Sequence, residues 1–400
     1  MGRALMMVTA FILVRKMPKE DYAWYSLANN FQGSLAYITM AGVGTGLYAL
    51  GGGKIGDRRG MGEVISAARR LRARIAIASF PILLPLTAYS LLKTGCPAWT
   101  VVALLACLAL LLGQQIAVQM AEFPFGLAGK YNVPQIYSLL NNGVRLIAIA
   151  LLIVTHCLTA ASGIAAAVLA GYLVLLVYLV PRSHDYIDPH VQPSPEVEAS
   201  FMRHMWIGLP IGIFYAAQSQ FGMVVLSLAG TVSSVAEFGA LSRIGLIMAL
   251  PEVFINKILT PRLASEPNLG RLKRMFLGGA LFGVIGGGGL ALLVYLFRTQ
   301  VLRLLGSNYV GMEDELTAYA ALLGFSFFVN ASCAIVQARG WIRYNWARPV
   351  IMLGCQLAAV PFCRVDQVSG IVGLTAAGAV GQLILSGILI VKGFQGKASV

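Results

Sequence analysis

Hydrophobic and polar positions fall into long blocks along this chain. Apolar stretches near 20 residues alternate with short, basic segments. A helix rises about 1.5 Å per residue, so about 20 apolar residues cross a hydrocarbon core of about 30 Å. The pattern predicts spans at 4–14, 24–50, 75–92, 99–120, 136–157 and 162–180. After a polar segment, further spans follow at 206–228, 236–259, 276–297, 316–337, 349–363 and 370–391. The expected fold is all-α and integral to the membrane, with about twelve transmembrane helices in two six-helix lobes, residues 1–185 and 206–400. Residues 186–205, rich in proline, histidine and acids, form the expected cytoplasmic linker. The first span is short: its apolar run covers only about 16 Å as a helix. A signal-peptide reading meets Arg15, Lys16 and Met17 where a small-residue cleavage site belongs, so a first helix with a truncated start is expected.

Composition agrees with that class. Hydrophobic residues make up 58% and charged residues 12% of the chain, and mean hydropathy is +0.76. Soluble domains carry about 25% charged residues. The net charge of +14 suggests a nucleic-acid binder, but such proteins are polar chains with a basic face. Here the basic residues sit between apolar spans. With the N-terminus inside, 21 of the 30 Lys and Arg fall on the cytoplasmic side and 7 outside. That bias places both termini in the cytoplasm and requires an even number of crossings. Nucleic acid is excluded as a partner. The six cysteines show no CxxC spacing and lie mostly in apolar segments. His184, His190 and His204 lack ligand spacing, so neither a metal nor a cofactor is expected.

The halves echo each other. Asp21-Tyr22-Ala23-Trp24-Tyr25-Ser26 opens the second span and Glu237-Phe238-Gly239-Ala240-Leu241-Ser242 the eighth. Both read acid, aromatic, small, two residues, serine, and each span leads into the most basic loop of its half. Like-oriented six-helix repeats are a recurring transporter plan. In 64–75, Val64, Ala68, Leu71 and Ile75 share one helical face, with arginines mostly on the other. That pattern suits a helix lying among anionic headgroups at the interface, or equally a solvated helix end.

Charges within spans are the sharpest chemical clue, because each costs at least about 2.5–3.5 kcal/mol in hydrocarbon. Arg145 lies well inside the fifth span and Arg243 well inside the eighth. Both are expected to face a polar cavity and hold an anionic group. Ser138, Asn141, Asn142 and Arg145 share a helical face that runs from the cytoplasmic end toward mid-membrane. Secondary cavity candidates are Asn30 and Tyr37, Gln115, and Tyr215 with Gln218, for which interhelical hydrogen bonding is an equal explanation. Glu252 and Lys257 are expected to pair with each other or with water. Gly51-Gly52-Gly53-Lys54 lacks the serine or threonine of a phosphate loop. Gly286 to Gly289, four in a row, suggest a pliable helix.

With this layout, the chain resembles the polysaccharide (oligosaccharide) flippases of the multidrug/oligosaccharidyl-lipid/polysaccharide exporter superfamily. The resemblance rests on Val14-Arg15-Lys16-Met17-Pro18-Lys19-Glu20-Asp21-Tyr22-Ala23-Trp24-Tyr25-Ser26-Leu27 near the start. In the middle it rests on Ala236 to Ile244, leading to Thr260-Pro261-Arg262-Leu263-Ala264. Late in the chain it rests on Gly306-Ser307-Asn308-Tyr309 and Ser369 to Ala377. It implies two lobes rocking about a central cavity. It also implies transfer of an undecaprenyl-diphosphate-linked oligosaccharide from the cytoplasmic to the periplasmic leaflet of a bacterial inner membrane. Arg145 and Arg243 match the cationic side chains that hold the anionic substrate in such cavities. The implied partners are the lipid-linked oligosaccharide, membrane lipids, and polysaccharide polymerase and chain-length proteins. The acid that family members often carry in the seventh helix is absent; that stretch reads Gln218-Ser219-Gln220. The nearest rival is a multidrug cation antiporter, which needs buried acids to attract cations. A membrane-embedded polymerase or ligase needs catalytic groups on a sizeable exposed surface, and the outside loops are short. No enzymatic activity is expected.

Overall fold

A backbone in hydrocarbon has no water to pair with, so a chain this apolar must close its hydrogen bonds within helices. The computed structural model describes residues 2–40, 43–255, 259–266, 268–341 and 346–395, and among them it contains helices and no strand. Within the described residues, each of the twelve predicted spans falls mainly on helix. Among the described residues, eight helical stretches are long and apolar enough to cross a membrane. The chain is a multi-pass membrane protein, and its contacts group into two compact units, Met1–Leu228 and Ala229–Val400.

The first unit holds α1 (Gly2–Lys16), α2 (Lys19–Met40), α3 (Val43–Gly51), α4 (Arg58–Lys93), α5 (Ala98–Leu127) and α6 (Asn132–Val154). It continues with α7 (Ala160–Val174), which passes through a π-helical stretch into α8 (Val180–Ser183), and with α9 (Pro195–Ala229). Capping explains several starts. The Asp57 carboxylate accepts from Gly60 N–H at 2.9 Å, and Thr159 and Ser162 form a capping box on α7. Asp21 of α2 accepts from Ala160 N–H at 2.9 Å, so an orphan donor of α7 is satisfied from another helix. The short α1 packs on α6.

The basic segment 64–75 is part of α4, not an interfacial helix. Its Val64, Ala68 and Leu71 are buried against Leu35, Val43, Leu47, Met120 and Phe201. The polar segment after α8 folds back over the basic face of α4. Asp188 N–H donates to Arg58 O at 3.1 Å, and Ser194 N–H to Glu63 at 2.9 Å. Glu198 forms ion pairs with Arg70 at 3.5 Å and Arg74 at 3.3 Å, and Arg70 also donates to Gln192. α9 begins within the expected linker, and it joins the first unit: Ser34 Oγ donates to Ala216 O at 3.5 Å, and Lys93 to Leu228 O. The span at 206–228, expected to open the second lobe, thus packs with the first unit.

The second unit holds α10 (Val232–Ser242), α11 (Gly245–Phe254), α12 (Thr260–Ser265) and α13 (Leu269–Leu296). It ends with α14 (Arg298–Leu305), α15 (Glu313–Ala338), α16 (Ala347–Ala359) and α17 (Val368–Phe394). Its core gathers Leu272, Phe327, Ala331, Ile335, Trp341 and Leu389. Within the four-glycine run, Gly286 and Gly287 serve packing between α13 and α15. A Cβ on Gly287 would stand 2.3 Å from Gly324 O, whereas one on Gly288 or Gly289 would meet open space. Backbones cross closely there because neither helix carries a side chain at the contact.

Gly287→Ala is expected to force α13 and α15 apart and cost about 1–3 kcal/mol, the range for overpacking a tight core. Gly288→Ala should leave the unfolding temperature nearly unchanged. Thermal unfolding of the two purified variants in detergent checks the contrast.

Candidate functional site

A polar cavity of about 250 Å³ lies inside the first unit, among α2, α5, α6 and α7. Each helix contributes one face. α2 presents Tyr25, Asn29 and Gln32, spaced by four and three residues as one helical stripe requires. α5 presents Gln114 and Gln115, and α6 presents Tyr137, Asn141 and Arg145. Arg145 Nη2 donates to the Tyr25 hydroxyl at 2.7 Å, which ties α6 to α2 across the cavity. Gln32 donates to Gln115 and so ties α2 to α5. Gln114 is mostly buried and hydrogen-bonds Tyr137; its amide fills the space left by the absent side chain of Gly171 on α7.

Among the described residues Arg145 is the only formally charged side chain in the lining, and the Glu122 carboxylate of α5 acts electrostatically on the lining residue Tyr137. Its Nε is buried and has no hydrogen-bond partner among the described residues, and the same holds for Asn141 Oδ1. A buried unpaired polar atom costs about 1–3 kcal/mol. The cavity thus offers an unmet charged donor and an unmet acceptor. The complement is a group that bears negative charge and also donates hydrogen bonds.

The structure brings Arg145, Asn141 and Gln115 together at this cavity and places the other expected residues elsewhere. Asn142 bends onto its own helix, donating to Ser138 O at 2.7 Å. Ser138 faces α1, where a Cβ on Gly2 would meet its Oγ at 2.6 Å. The expected four-residue stripe therefore splits: residues 141 and 145 face the cavity, and 138 and 142 do not. Asn30 donates to Ser26 O at 2.9 Å, and Tyr37 is exposed. Neither lines the cavity; the polar face of α2 that does lies one residue over, a rotation of about 100°. Tyr215 stacks edge-on with Phe214 on α9, and Gln218 is half-buried there, outside the lining.

Arg243 belongs to the second unit. It caps α10 at the break before α11, with its N–H bonded to Ala240 O at 3.1 Å, and it acts electrostatically on the buried Tyr319 hydroxyl. The eighth span is therefore not one continuous helix. Glu252 accepts from Asn330 at 3.3 Å; its expected partner Lys257 lies outside the described residues.

Sequence reasoning missed Arg72, counted among loop cations. It is fully buried, with Nη2 bonded to Thr39 Oγ1 at 3.4 Å and with Nε and Nη1 unpartnered among the described residues. The signal was present: residues 68, 72 and 76 repeat at four-residue spacing on the buried face. It also missed Asn29, Gln32 and Gln114.

These features define an all-helical, multi-pass membrane protein with a cationic, amide-lined cavity. Its fold is similar to that of solved MATE family transporters. The inward-facing conformation of a multidrug resistance MATE family transporter matches with a TM-score of 0.76 at 16% identity, covering 99% of this chain and 94% of that one. The outward-facing conformation of such a transporter matches at 0.64 and 16% identity, covering 99% and 93%. A point mutant of the Vibrio cholerae MATE transporter VcmN matches at 0.60 and 17% identity, covering 99% and 94%. No protein-family model and no curated protein sequence matches the chain.

If the Tyr25 hydroxyl orients Arg145, Tyr25→Phe should weaken binding of an anionic, hydroxyl-bearing ligand by about 1.5–3 kcal/mol or less, the range for a bond to a charged group. Arg145→Ala should weaken it more. Isothermal titration with a soluble sugar diphosphate compares the variants, and equal affinities would remove Arg145 from the site.

Proposed function

We propose that this chain is a flippase that moves a polyprenyl-diphosphate-linked oligosaccharide from the cytoplasmic to the periplasmic leaflet by alternating access. The observation that supports this most is the first-unit cavity, where a single arginine with a free Nε stands among amides and phenols. A diphosphate supplies the anionic acceptor that Arg145 lacks, and sugar hydroxyls supply donors for amide oxygens such as Asn141 Oδ1. The physical problem is to carry a charged, hydroxylated headgroup through hydrocarbon. A polar cavity opened alternately to each side does so without covalent chemistry. The cavity volume of about 250 Å³ lies below the range of about 300–1,000 Å³ for drug-sized ligands, which suits one portion of a headgroup. Arg243 is the second-unit counterpart in this reading, and both termini are cytoplasmic.

A multidrug antiporter is the second reading, favoured by the names of the structural neighbours. Against it stands the first-unit lining, which holds Arg145 and, among the described residues, no carboxylate of its own; the nearby Glu122 reaches it only through Tyr137.

Liposomes containing the purified chain and a fluorescent lipid-linked oligosaccharide test the first reading. Headgroup accessibility should rise faster than in protein-free liposomes, and Arg145→Ala should slow it at least about tenfold, the loss of one charged contact. Arg145→Lys should retain part of the rate. No acceleration by the native chain, together with proton-driven uptake of a lipophilic cation, would favour the antiporter.

A further inference from the structure

We infer that the first unit carries a binding groove for an anionic phospholipid, separate from the polar cavity, at the cytoplasmic end of α4. Two adjoining cavities, which share His184 and Pro189, make up the groove. The outer one, about 460 Å³, is open and is lined by Arg58, Arg59, His184, Asp188 and His190 at the N-terminus of α4. The inner one, about 140 Å³, has Arg69 at its edge and an apolar floor of Ile65, Met120, Ala121, Val180 and Ile187.

Three arginines and two histidines thus face one carboxylate, and that carboxylate is already engaged by His190 N–H at 3.1 Å. The walls are held in place: Arg58 donates to His184 O, and Asp188 N–H donates to Arg58 O. Arg59 and Arg69 are exposed, and neither side chain makes a hydrogen bond or ion pair among the described residues. Their charge is available to a ligand.

The occupant follows from the two halves. A cationic rim beside an apolar floor, at the end of membrane-crossing helices, complements a phosphodiester headgroup with the start of an acyl chain beneath it. A free phosphate would use the rim and leave the floor empty. The apolar face formed by Val64, Ala68 and Leu71 does not itself lie on the bilayer, since it packs inside the unit; the lipid contact of this end of α4 belongs to the groove instead.

Native mass spectrometry of the full-length chain in detergent reads the selectivity. Phosphatidylglycerol and phosphatidylcholine with identical acyl chains are added in turn. Phosphatidylglycerol should be retained about tenfold over phosphatidylcholine, and Arg59→Gln with Arg69→Gln should bring the ratio near one. Arg271→Gln with Arg274→Gln, the same charge removed from exposed positions on α13, should leave the ratio unchanged. Equal retention of the two lipids by the native chain, or an equal loss in both double variants, overturns the groove. A third arm adds inorganic phosphate or glycerophosphoglycerol. Displacement of phosphatidylglycerol by either at matched concentration overturns the lipid assignment in favour of a bare anion site. Unchanged unfolding temperatures in both double variants confirm that the comparison is between folded proteins.

Discussion

In hydrocarbon, a polar group that finds no partner in the protein finds none at all, and the penalty runs to several kcal/mol. The architecture of the first unit follows from that constraint. Its helices satisfy their own backbones, and their polar side chains collect where helices face each other. The bond from Arg145 to the Tyr25 hydroxyl is the central case, because it brings the one charge of α6 against α2 and creates the polar interior. α2 then serves twice more, through Gln32 to α5 and through Asp21 to the start of α7. A helix with so many polar obligations has little freedom to rotate, and the cavity is shaped by that restriction.

The remaining cations divide by depth. Arg72 is sealed inside against Thr39, while Arg70 and Arg74 hold Glu198 at the start of α9. Exposed ion pairs of this kind contribute about 0–1 kcal/mol each, so the strap over α4 is a set of weak contacts reinforced by backbone hydrogen bonds. Arg59 and Arg69 are left over from this network. Topogenic charge needs only to be present on one side of the membrane; charge arranged around an apolar floor has a further use.

Fold and cavity carry different kinds of information about function. The fold shared with MATE transporters is compatible with many cargoes, and fold alone does not select among them. The proposal draws instead on the lining, where one arginine stands among amides and phenols. For this reason the proposed cargo rests on the side chains of the first unit and not on the names of its structural neighbours.

The membrane class and the positions of the helices were legible in the chain, since length and apolarity alone decide what can cross hydrocarbon. Arg145, Asn141 and Gln115 were legible for the same reason: polar residues within apolar spans stand out. Rotation was not. The hydrophobic pattern placed the polar stripe of α2 on the face of Asn30 and Tyr37, whereas Asn29, one residue before Asn30, and Gln32 reach the cavity. It could not separate Asn141 from Asn142, because adjacent residues point about 100° apart and only the neighbouring helices determine which direction is inward. Burial of Arg72 and the glycine crossing of α13 with α15 likewise depend on partners distant in sequence. The sequence by itself determined which segments must be helices in a membrane, because that depends on composition along one line. Only the tertiary structure decided which face of each helix meets the cavity, because a helix fixes the angles between its side chains but not its own orientation.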